Sequence, residues 1–399
     1  MTTAPPDEPA PPAETPVLEE AAAAELSPPV DAPPEALEPT TRAYPFAFTG
    51  HWKEYFRIWI VNLFLSVITV GLYSPWAKVR RTRYLYGNTW VANANFDYHG
   101  NPVAILKGRL VAVAALVAYN AVEHYLPSFG WAALLVLMLV APWLITRSLR
   151  FNAVNSSYRN LRFQFHGTYR EGLLAISPLL ALPVLGIFLA DEDFVSGPVE
   201  PIAMAAAMLP MAAFALGYPY VVGAVKRLHV RRSAFGAAAF DFGARIRSFY
   251  GIYVLAGLIF AVCSFILGAT AFMLLGTFDL AWVAISAVYL LAGAIVLAFT
   301  RARVGNLTFN NATLDGRVRY VSTLSAAKLA WIYLGNLLAI VASFGLLVPW
   351  AVTRTAHYRA SCLSIACDGD LEGFLGDVAK PVGATGEELG EFFDVDLSL

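Results

Sequence analysis

The strongest constraint on this chain is a short phrase that it uses more than once. A long apolar stretch ends in Pro-Trp, basic residues follow at helical spacing, and a segment with alternating aromatic residues then closes on glycine. One copy runs from Gly71 to Gly100 and another from Leu139 to Gly167. In both, arginines follow the proline after five and eight residues, and the closing glycine follows after 25. Such self-similarity predicts a fold built from repeated units.

We count about five such units along the chain. The third closes at Gly243, the fourth at Gly316 and the fifth at Gly369. The first and fifth also share an asparagine, Asn62 or Asn336, that lies 13 residues before Pro-Trp. We therefore expect these two terminal units to pack together and to carry the functional site, although end-capping of the repeats would also explain their short length.

Composition indicates a membrane protein. Hydrophobic residues make up 58% of the chain and charged residues 14%, against about 45–50% and about 25% in soluble domains. Most of the apolar stretches approach the roughly 20 residues that a membrane helix needs. We predict eight membrane helices, at residues 56–75, 107–126, 130–146, 173–190, 202–223, 250–275, 280–299 and 329–350.

The segments that follow the helices resemble strands, because their aromatic residues alternate along the chain. Basic residues cluster beside these segments, so the positive-inside rule assigns them to the cytoplasm. The predicted fold class is thus a polytopic α-helical membrane protein of about five repeats, with short cytoplasmic-side β-strands after the helices. We expect each closing glycine to supply a turn with positive φ.

Both ends of the chain differ in composition from its middle. Residues 1–42 are rich in Pro, Ala and Glu and have too little apolar surface to offset the entropy of ordering. We predict a disordered tail over residues 1–42, a membrane domain over residues 43–376 and an acidic tail over residues 377–399.

The first and last apolar stretches leave two topologies open. If each crosses the membrane once, both chain ends lie outside the cell. If each enters and returns, with breaks at Gly71 and Gly345, both ends are cytoplasmic. We favour the second topology because it keeps all units on the same side.

The chain resembles a known family at its two ends. The residues that carry the resemblance are the segment from Phe46 to Thr89, the segment from Gly345 to Arg359 and the acidic terminus FFDVDLSL. They are similar to the YjgN-like bacterial inner-membrane proteins, which are grouped under a domain of unknown function. The resemblance implies a multi-pass protein of the bacterial inner (plasma) membrane with a repeated architecture, and it implies no catalytic residues.

A search for reactive chemistry finds no Walker loop, HExxH motif, paired CxxC or nucleophile elbow. We therefore predict no enzymatic activity, no catalytic residue, no metal site and no cofactor. Polar residues inside membrane segments are costly and often functional. The candidates of this kind are Asn62, Asn336, Glu123 and His124.

The arginines after each Pro-Trp have two interpretations, fixing the topology or binding anionic lipid headgroups. These candidates are Arg80, Arg83, Arg147, Arg150 and Arg354. Arg57 either binds an anion or extends along the helix to the headgroups. The expected partner is the lipid bilayer, including anionic phospholipids. The net charge of -1 does not favour nucleic acid, and the sequence gives no indication of oligomeric state.

Three classes of function follow from these observations. Internal repeats with short, glycine-interrupted apolar segments favour a transporter or channel for a small solute. The scarcity of polar residues at mid-membrane depth favours instead a non-transporting envelope scaffold or a lipid-binding membrane protein. A membrane enzyme has the least support, because no cluster of carboxylate, histidine or cysteine side chains is evident. A continuous polar cavity would favour transport.

Overall fold

Ten short strands close into one antiparallel barrel in the computed structural model, which describes residues 41–189, 201–275 and 278–379. The order around the barrel is β1-β10-β9-β8-β7-β6-β5-β4-β3-β2, and β2 returns to β1. The strands are β1 Thr41–Phe48, β2 Thr89–Val91, β3 Ala94–Tyr98, β4 Ser156–Tyr158, β5 Leu161–Phe165, β6 Ser233–Phe235, β7 Ala238–Phe242, β8 Ala312–Leu314, β9 Val318–Ser322 and β10 Leu363–Asp368.

The helices lie between the hairpins of the barrel. Two 3₁₀ turns, Pro127–Phe129 and Ser177–Leu180, separate neighbouring helices. The α-helices are α1 Trp52–Ile68, α2 Ser74–Gly87, α3 Pro102–Tyr125, α4 Gly130–Val154, α5 Tyr169–Ile176, α6 Ala181–Leu189, α7 Pro201–Arg231, α8 Ile246–Leu275, α9 Phe278–Phe309, α10 Ala326–Ala342, α11 Val348–Ser361 and α12 Leu371–Ala379.

Five helical stretches among the described residues are long and apolar enough to cross a membrane. They are Pro102–Tyr125, Pro127–Val154, Met208–Arg231, Ile246–Thr270 and Ile285–Phe309. The apolar stretches at 56–75, 173–190 and 329–350 are instead broken into shorter helices. A 3₁₀ turn that contains Pro178 divides the stretch at 173–190. Turns at Gly71 and Gly345 follow the first helix of the stretches at 56–75 and 329–350.

The predicted fold class of about five repeats with short strands after the helices is wrong, because the ten strands form one closed antiparallel barrel. The alternating aromatic segments do form strands, as β3, β5 and β7 show. The partner strands, such as β2 and β4, were not predicted, because strands of three residues are too short to show alternation of apolar and polar residues. Gly316 does follow a strand, β8, and it lies in the β8–β9 turn with φ +66.

Three closing glycines, Gly50, Gly100 and Gly167, make room for an aromatic ring, whereas Gly316 and Gly369 have the expected positive φ, at +66 and +94. A Cβ built on Gly50 would lie 2.6 Å from the ring of Phe48, and one on Gly100 would lie 2.5 Å from the ring of Tyr98. Gly167 has the same relation to the aromatic residue two positions before it. The aromatic-x-Gly pattern is therefore a steric requirement at the end of a strand.

The interior of the barrel is filled by a hydrophobic core. Aromatic side chains from several strands contact one another there, as in the pair Phe96 and Tyr158, whose ring centroids are 4.9 Å apart. Helix α12 inserts an apolar face into the same core through Leu371, Phe374, Leu375 and Val378, which are all buried. The barrel is thus a packed core that is closed by the helix following its last strand.

Ion pairs fasten α12 to the barrel rim. Glu372 pairs with Arg159 in the β4–β5 turn, and Asp377 lies 3.7 Å from Arg317 in the β8–β9 turn. The Arg159 guanidinium lowers the pKa of Glu372. This contribution to docking is present above the ordinary titration range of glutamate and is lost as the pH falls through the lowered pKa.

The first and last helix pairs are matched hairpins. Helices α1 and α10 each have 17 residues, which is short of the roughly 20 needed to cross a bilayer. Each ends in two consecutive residues with positive φ, Val70-Gly71 in one hairpin and Phe344-Gly345 in the other. The chain then returns to the barrel through α2 or α11, so both segments form helical hairpins that turn back at Gly71 and Gly345.

The helices form a closed ring above the barrel. From α1 to α4, each helix contacts the next, and α5 and α6 both contact α4 and α7. Contacts then continue from α7 through α8, α9 and α10 to α11, which packs against α1. A hydrogen bond between His357 Nε2 and the Gly50 carbonyl, at 3.1 Å, joins the ends of the ring.

We predict that Gly100→Ala destabilises the protein by about 1–3 kcal/mol, because the added methyl group overlaps the Tyr98 ring. Thermal unfolding of the purified protein measures the change. Gly108→Ala is the matched control, since a Cβ at this α3 position meets nothing within 4 Å. Equal melting temperatures for the two variants would show that the ring does not require the glycine.

A second prediction concerns α12. Phe374 is 1% exposed in the barrel core, so Phe374→Ala should cost about 3–5 kcal/mol of docking free energy. Hydrogen exchange of residues 371–379 should then become much faster. Gly376→Ala, where a Cβ meets nothing within 4 Å, should leave exchange unchanged or slower. Unchanged protection in Phe374→Ala would contradict the role of α12 as part of the core.

Candidate functional site

A groove of about 500 Å³ lies between α1 and α2 in the first hairpin. Three arginines line it together with two aliphatic residues and one tyrosine. The lining residues are Arg57, Ile58, Val61, Arg80, Arg83 and Tyr84. The groove therefore combines positive charge with an apolar wall.

The turn at Gly71 fixes which residues of α1 and α2 face each other. The ring of Tyr55 stacks on that of Tyr84 with centroids 5.3 Å apart, and the Tyr84 hydroxyl donates to the His51 carbonyl at 2.9 Å. Burial raises the pKa of Tyr84 to about 12, so its hydroxyl is neutral at physiological pH. This aromatic pair holds the barrel end of the groove.

Few groups on the protein compensate the charges of the groove. Arg80 lies over the ring of Tyr73, with 5.7 Å between guanidinium carbon and ring centroid. Arg83 donates from Nε to the Tyr98 carbonyl at a long 3.4 Å. Among the described residues, no carboxylate forms an ion pair with these two arginines or with Arg57.

Asn62 is buried in the same hairpin with an unused acceptor. Its side chain is 6% exposed, and its Oδ1 atom has no hydrogen-bond partner among the described residues. It follows Val61 of the groove wall directly in α1. An unpaired buried amide oxygen costs about 1–3 kcal/mol, and Asn62 itself does not line the groove.

The last hairpin pairs its corresponding residues. Asn336, which is 7% exposed, donates from Nδ2 to the Ala351 carbonyl at 3.2 Å and to Thr355 Oγ1 at 3.0 Å. Its Oδ1 accepts from Arg354 at 3.3 Å. Asn62 and Asn336 thus lie in different hairpins, and the contacts of Asn336 stay within its own.

The remaining candidates from the sequence lie elsewhere. Arg147 is exposed on α4, over the Trp143 ring at 5.2 Å, and Arg150 is exposed one turn later. Glu123 and His124 are exposed at the end of α3 farthest from the barrel strands in sequence. The structure does not bring these four residues to the groove.

The groove lies where the surface of α1 changes from polar to apolar. Lys53, Glu54 and Arg57 belong to the barrel-proximal end of the helix. Beyond the groove, large apolar side chains become strongly exposed, with Phe64 at 65% and Val70 at 92%. This position corresponds to headgroup depth if the apolar tip of the hairpin is in lipid.

Sequence reasoning named the arginines but did not assemble the groove. Tyr84 was missed, and Arg57 was considered only by itself. The available signal was the Gly71 break, because a helix that turns back there brings Arg57 close to the helix that carries Arg80 and Arg83. Using this signal required a choice between a helix that crosses the membrane once and a helix that turns back at Gly71.

Comparison with known proteins identifies relatives in the bacterial inner membrane. Inner membrane protein YjgN of Salmonella typhimurium is 26% identical over 352 residues, which cover 82% of this chain and 88% of the relative. Inner membrane protein YjgN of Escherichia coli O157:H7 is 32% identical over 125 residues, or 31% of each chain. No solved structure matches this chain.

These names and the five candidate membrane spans agree with the predicted multi-pass inner-membrane location. The family described as bacterial protein of unknown function (DUF898) matches residues 43–392. The resemblance drawn from the two ends of the sequence is therefore confirmed, and the chain belongs to this family of bacterial proteins.

Proposed function

We propose that this integral inner-membrane protein is a lipid-binding protein that holds an anionic phospholipid in the groove between α1 and α2. The observation that carries the proposal is the convergence of Arg57, Arg80 and Arg83 on one groove with an apolar wall. Guanidinium groups match phosphate oxygens in geometry and charge.

The rest of the groove suits the other parts of a phospholipid. Ile58 and Val61 offer an apolar surface beside the arginines, and Val61 is 47% exposed. An acyl chain is expected to follow this surface toward the exposed apolar residues at the hairpin tip.

The packing of the barrel supports lipid binding over conduction along the barrel axis. Aromatic side chains and the apolar face of α12 occupy the barrel interior. A solute channel through this part of the protein would require α12 and several core side chains to move. The transporter or channel inferred from the repeats remains a hypothesis, which a flux assay in proteoliposomes would examine.

We predict that Arg80→Gln combined with Arg83→Gln weakens binding of phosphatidylglycerol. A basic residue near an anionic lipid contributes about 1 kcal/mol, so two should lower the affinity roughly 30-fold. Native mass spectrometry of the full chain with phosphatidylglycerol or phosphatidylcholine measures it. Arg81→Gln is the control, because Arg81 shares α2 but does not line the groove.

The proposal fails if wild-type protein binds phosphatidylcholine as well as phosphatidylglycerol. It also fails if the double variant keeps the wild-type affinity, or if Arg81→Gln weakens binding to the same extent. In each of these cases the groove would not be an anionic headgroup site.

The two buried asparagines should respond in opposite ways to replacement by leucine. Asn336→Leu leaves Arg354 and Thr355 without their partner and should cost about 1–3 kcal/mol of stability. Asn62→Leu removes an unpaired acceptor, so it should leave the protein equally or more stable. Thermal unfolding of the two variants measures the difference. A loss of stability in Asn62→Leu as large as in Asn336→Leu would show that the Asn62 oxygen is paired in solution.

A further inference from the structure

The two terminal hairpins place an equivalent arginine in different ways. Arg80 in the first hairpin and Arg354 in the last each follow the proline of Pro-Trp by five residues. Arg354 is half-buried and donates to Asn336 Oδ1 at 3.3 Å. Arg80 is exposed in the groove, and the equivalent Asn62 Oδ1 has no partner among the described residues. A local difference between the hairpins therefore decides where this arginine points.

One difference is the residue just before the second helix of each hairpin, which is Tyr73 in the first and Leu347 in the last. The backbone is closely similar there, with φ and ψ of -74° and -11° at Tyr73 and of -88° and 9° at Leu347. The Tyr73 ring stacks on that of Trp76 with centroids 5.9 Å apart, and the Arg80 guanidinium lies over the Tyr73 ring at 5.7 Å. In the last hairpin the equivalent guanidinium lies over the tryptophan itself, at 5.0 Å. Tyr73 thus offers Arg80 a cation–π partner that a leucine cannot offer.

A second difference is the residue before each asparagine, which is Val61 in the first hairpin and Gly335 in the last. A Cβ built on Gly335 would lie 3.0 Å from Arg354 Nη1, which is closer than the optimal separation of non-bonded atoms. Valine adds two methyl groups to that carbon, so it would overlap a guanidinium at the equivalent position in the first hairpin. Val61 itself lines the groove beside Arg80. Both differences therefore direct Arg80 away from Asn62 and into the groove.

We propose that Val61 and Tyr73 are the positioning residues that make the first hairpin, and not the last, a site for a phosphate-bearing headgroup. They hold the Arg80 guanidinium in the groove, where its donors are available to phosphate oxygens. Without them, the same guanidinium would donate to Asn62. The ligand in this inference rests on the lipid-binding function proposed above, whereas the placement of Arg80 is tested without lipid.

The experiment gives the first hairpin the residues of the last, by combining Val61→Gly with Tyr73→Leu in the full chain. Arg80 should then donate to Asn62. Thermal unfolding of the delipidated protein in neutral detergent measures this pairing. Adding Asn62→Leu should lower the melting temperature of the converted protein by about 2 °C or more, but should leave that of the otherwise wild-type protein unchanged or higher. Comparison within one background cancels the cost of the glycine in α1.

Binding of phosphatidylglycerol to the same variants is measured by native mass spectrometry. The converted protein should bind roughly fivefold more weakly, which is the effect of one basic residue near an anionic lipid. Adding Asn62→Leu should restore most of the affinity, because Arg80 loses its alternative partner. Tyr73→Phe is the conservative control. It keeps the ring and removes only a hydroxyl without a partner among the described residues, so it should bind as wild type does.

The reverse change, Gly335→Val, tests the steric argument in the last hairpin and does not require the converted protein to fold. It should displace Arg354 from Asn336. Asn336→Leu should then lower the melting temperature less in this background than in the wild-type protein. An equal loss in both backgrounds would contradict the steric role assigned to Val61.

The proposal is overturned if Asn62→Leu changes the melting temperatures of the converted and wild-type proteins equally. It is also overturned if Asn62→Leu fails to restore phosphatidylglycerol binding to the converted protein, or if Tyr73→Phe weakens binding as much as the conversion does. Absence of phosphatidylglycerol binding in the wild-type protein would overturn the proposed ligand. The melting temperatures would still decide whether Val61 and Tyr73 place Arg80.

Discussion

Closure of the barrel is the constraint on which the rest of the structure depends. An open sheet edge would leave backbone donors and acceptors unpaired, and β1 prevents this by pairing with β10 through its first half and with β2 through its second. The strand at the start of the membrane domain is thereby joined to the strand at its end. Helices that start and end at the same rim must return to the side from which they left. The turn of the first and last hairpins back toward the barrel follows from this requirement.

The same geometry concentrates positive charge near the barrel. Several arginines lie over an aromatic ring one helical turn earlier, as Arg147 does over Trp143 and Arg354 over Trp350, at 5.2 and 5.0 Å. Such contacts hold a guanidinium beside a ring that itself favours the membrane interface. Basic residues at the barrel ends of several helices are what the positive-inside rule expects of a cytoplasmic face, and the cytoplasmic side of the barrel stays a prediction.

Local structure could be predicted from the sequence, whereas closure of the barrel could not. Alternating aromatic residues identified β3, β5 and β7, and Gly71 and Gly345 marked the helix breaks, because each is a short-range steric or periodic signal. Closure depends on the number of strands and on pairing between residues more than 300 positions apart, such as Arg42 with Cys367. No periodic pattern in the sequence indicates that pairing. The groove could not be predicted from the sequence for a related reason. Whether Arg57 faces Arg80 depends on the direction that the chain takes after the break at Gly71.

The two terminal hairpins share their sequence elements, but the polar side chains of these elements differ in hydrogen bonding. This contrast is the best guide to function. In the last hairpin, Arg354 donates to Asn336 and the buried polar atoms are paired. In the first, Arg80 lies over Tyr73 and the Asn62 oxygen has no partner among the described residues. The three arginines that line the groove of the first hairpin also form no ion pair with a carboxylate among the described residues. The phosphate of an anionic headgroup would supply that charge.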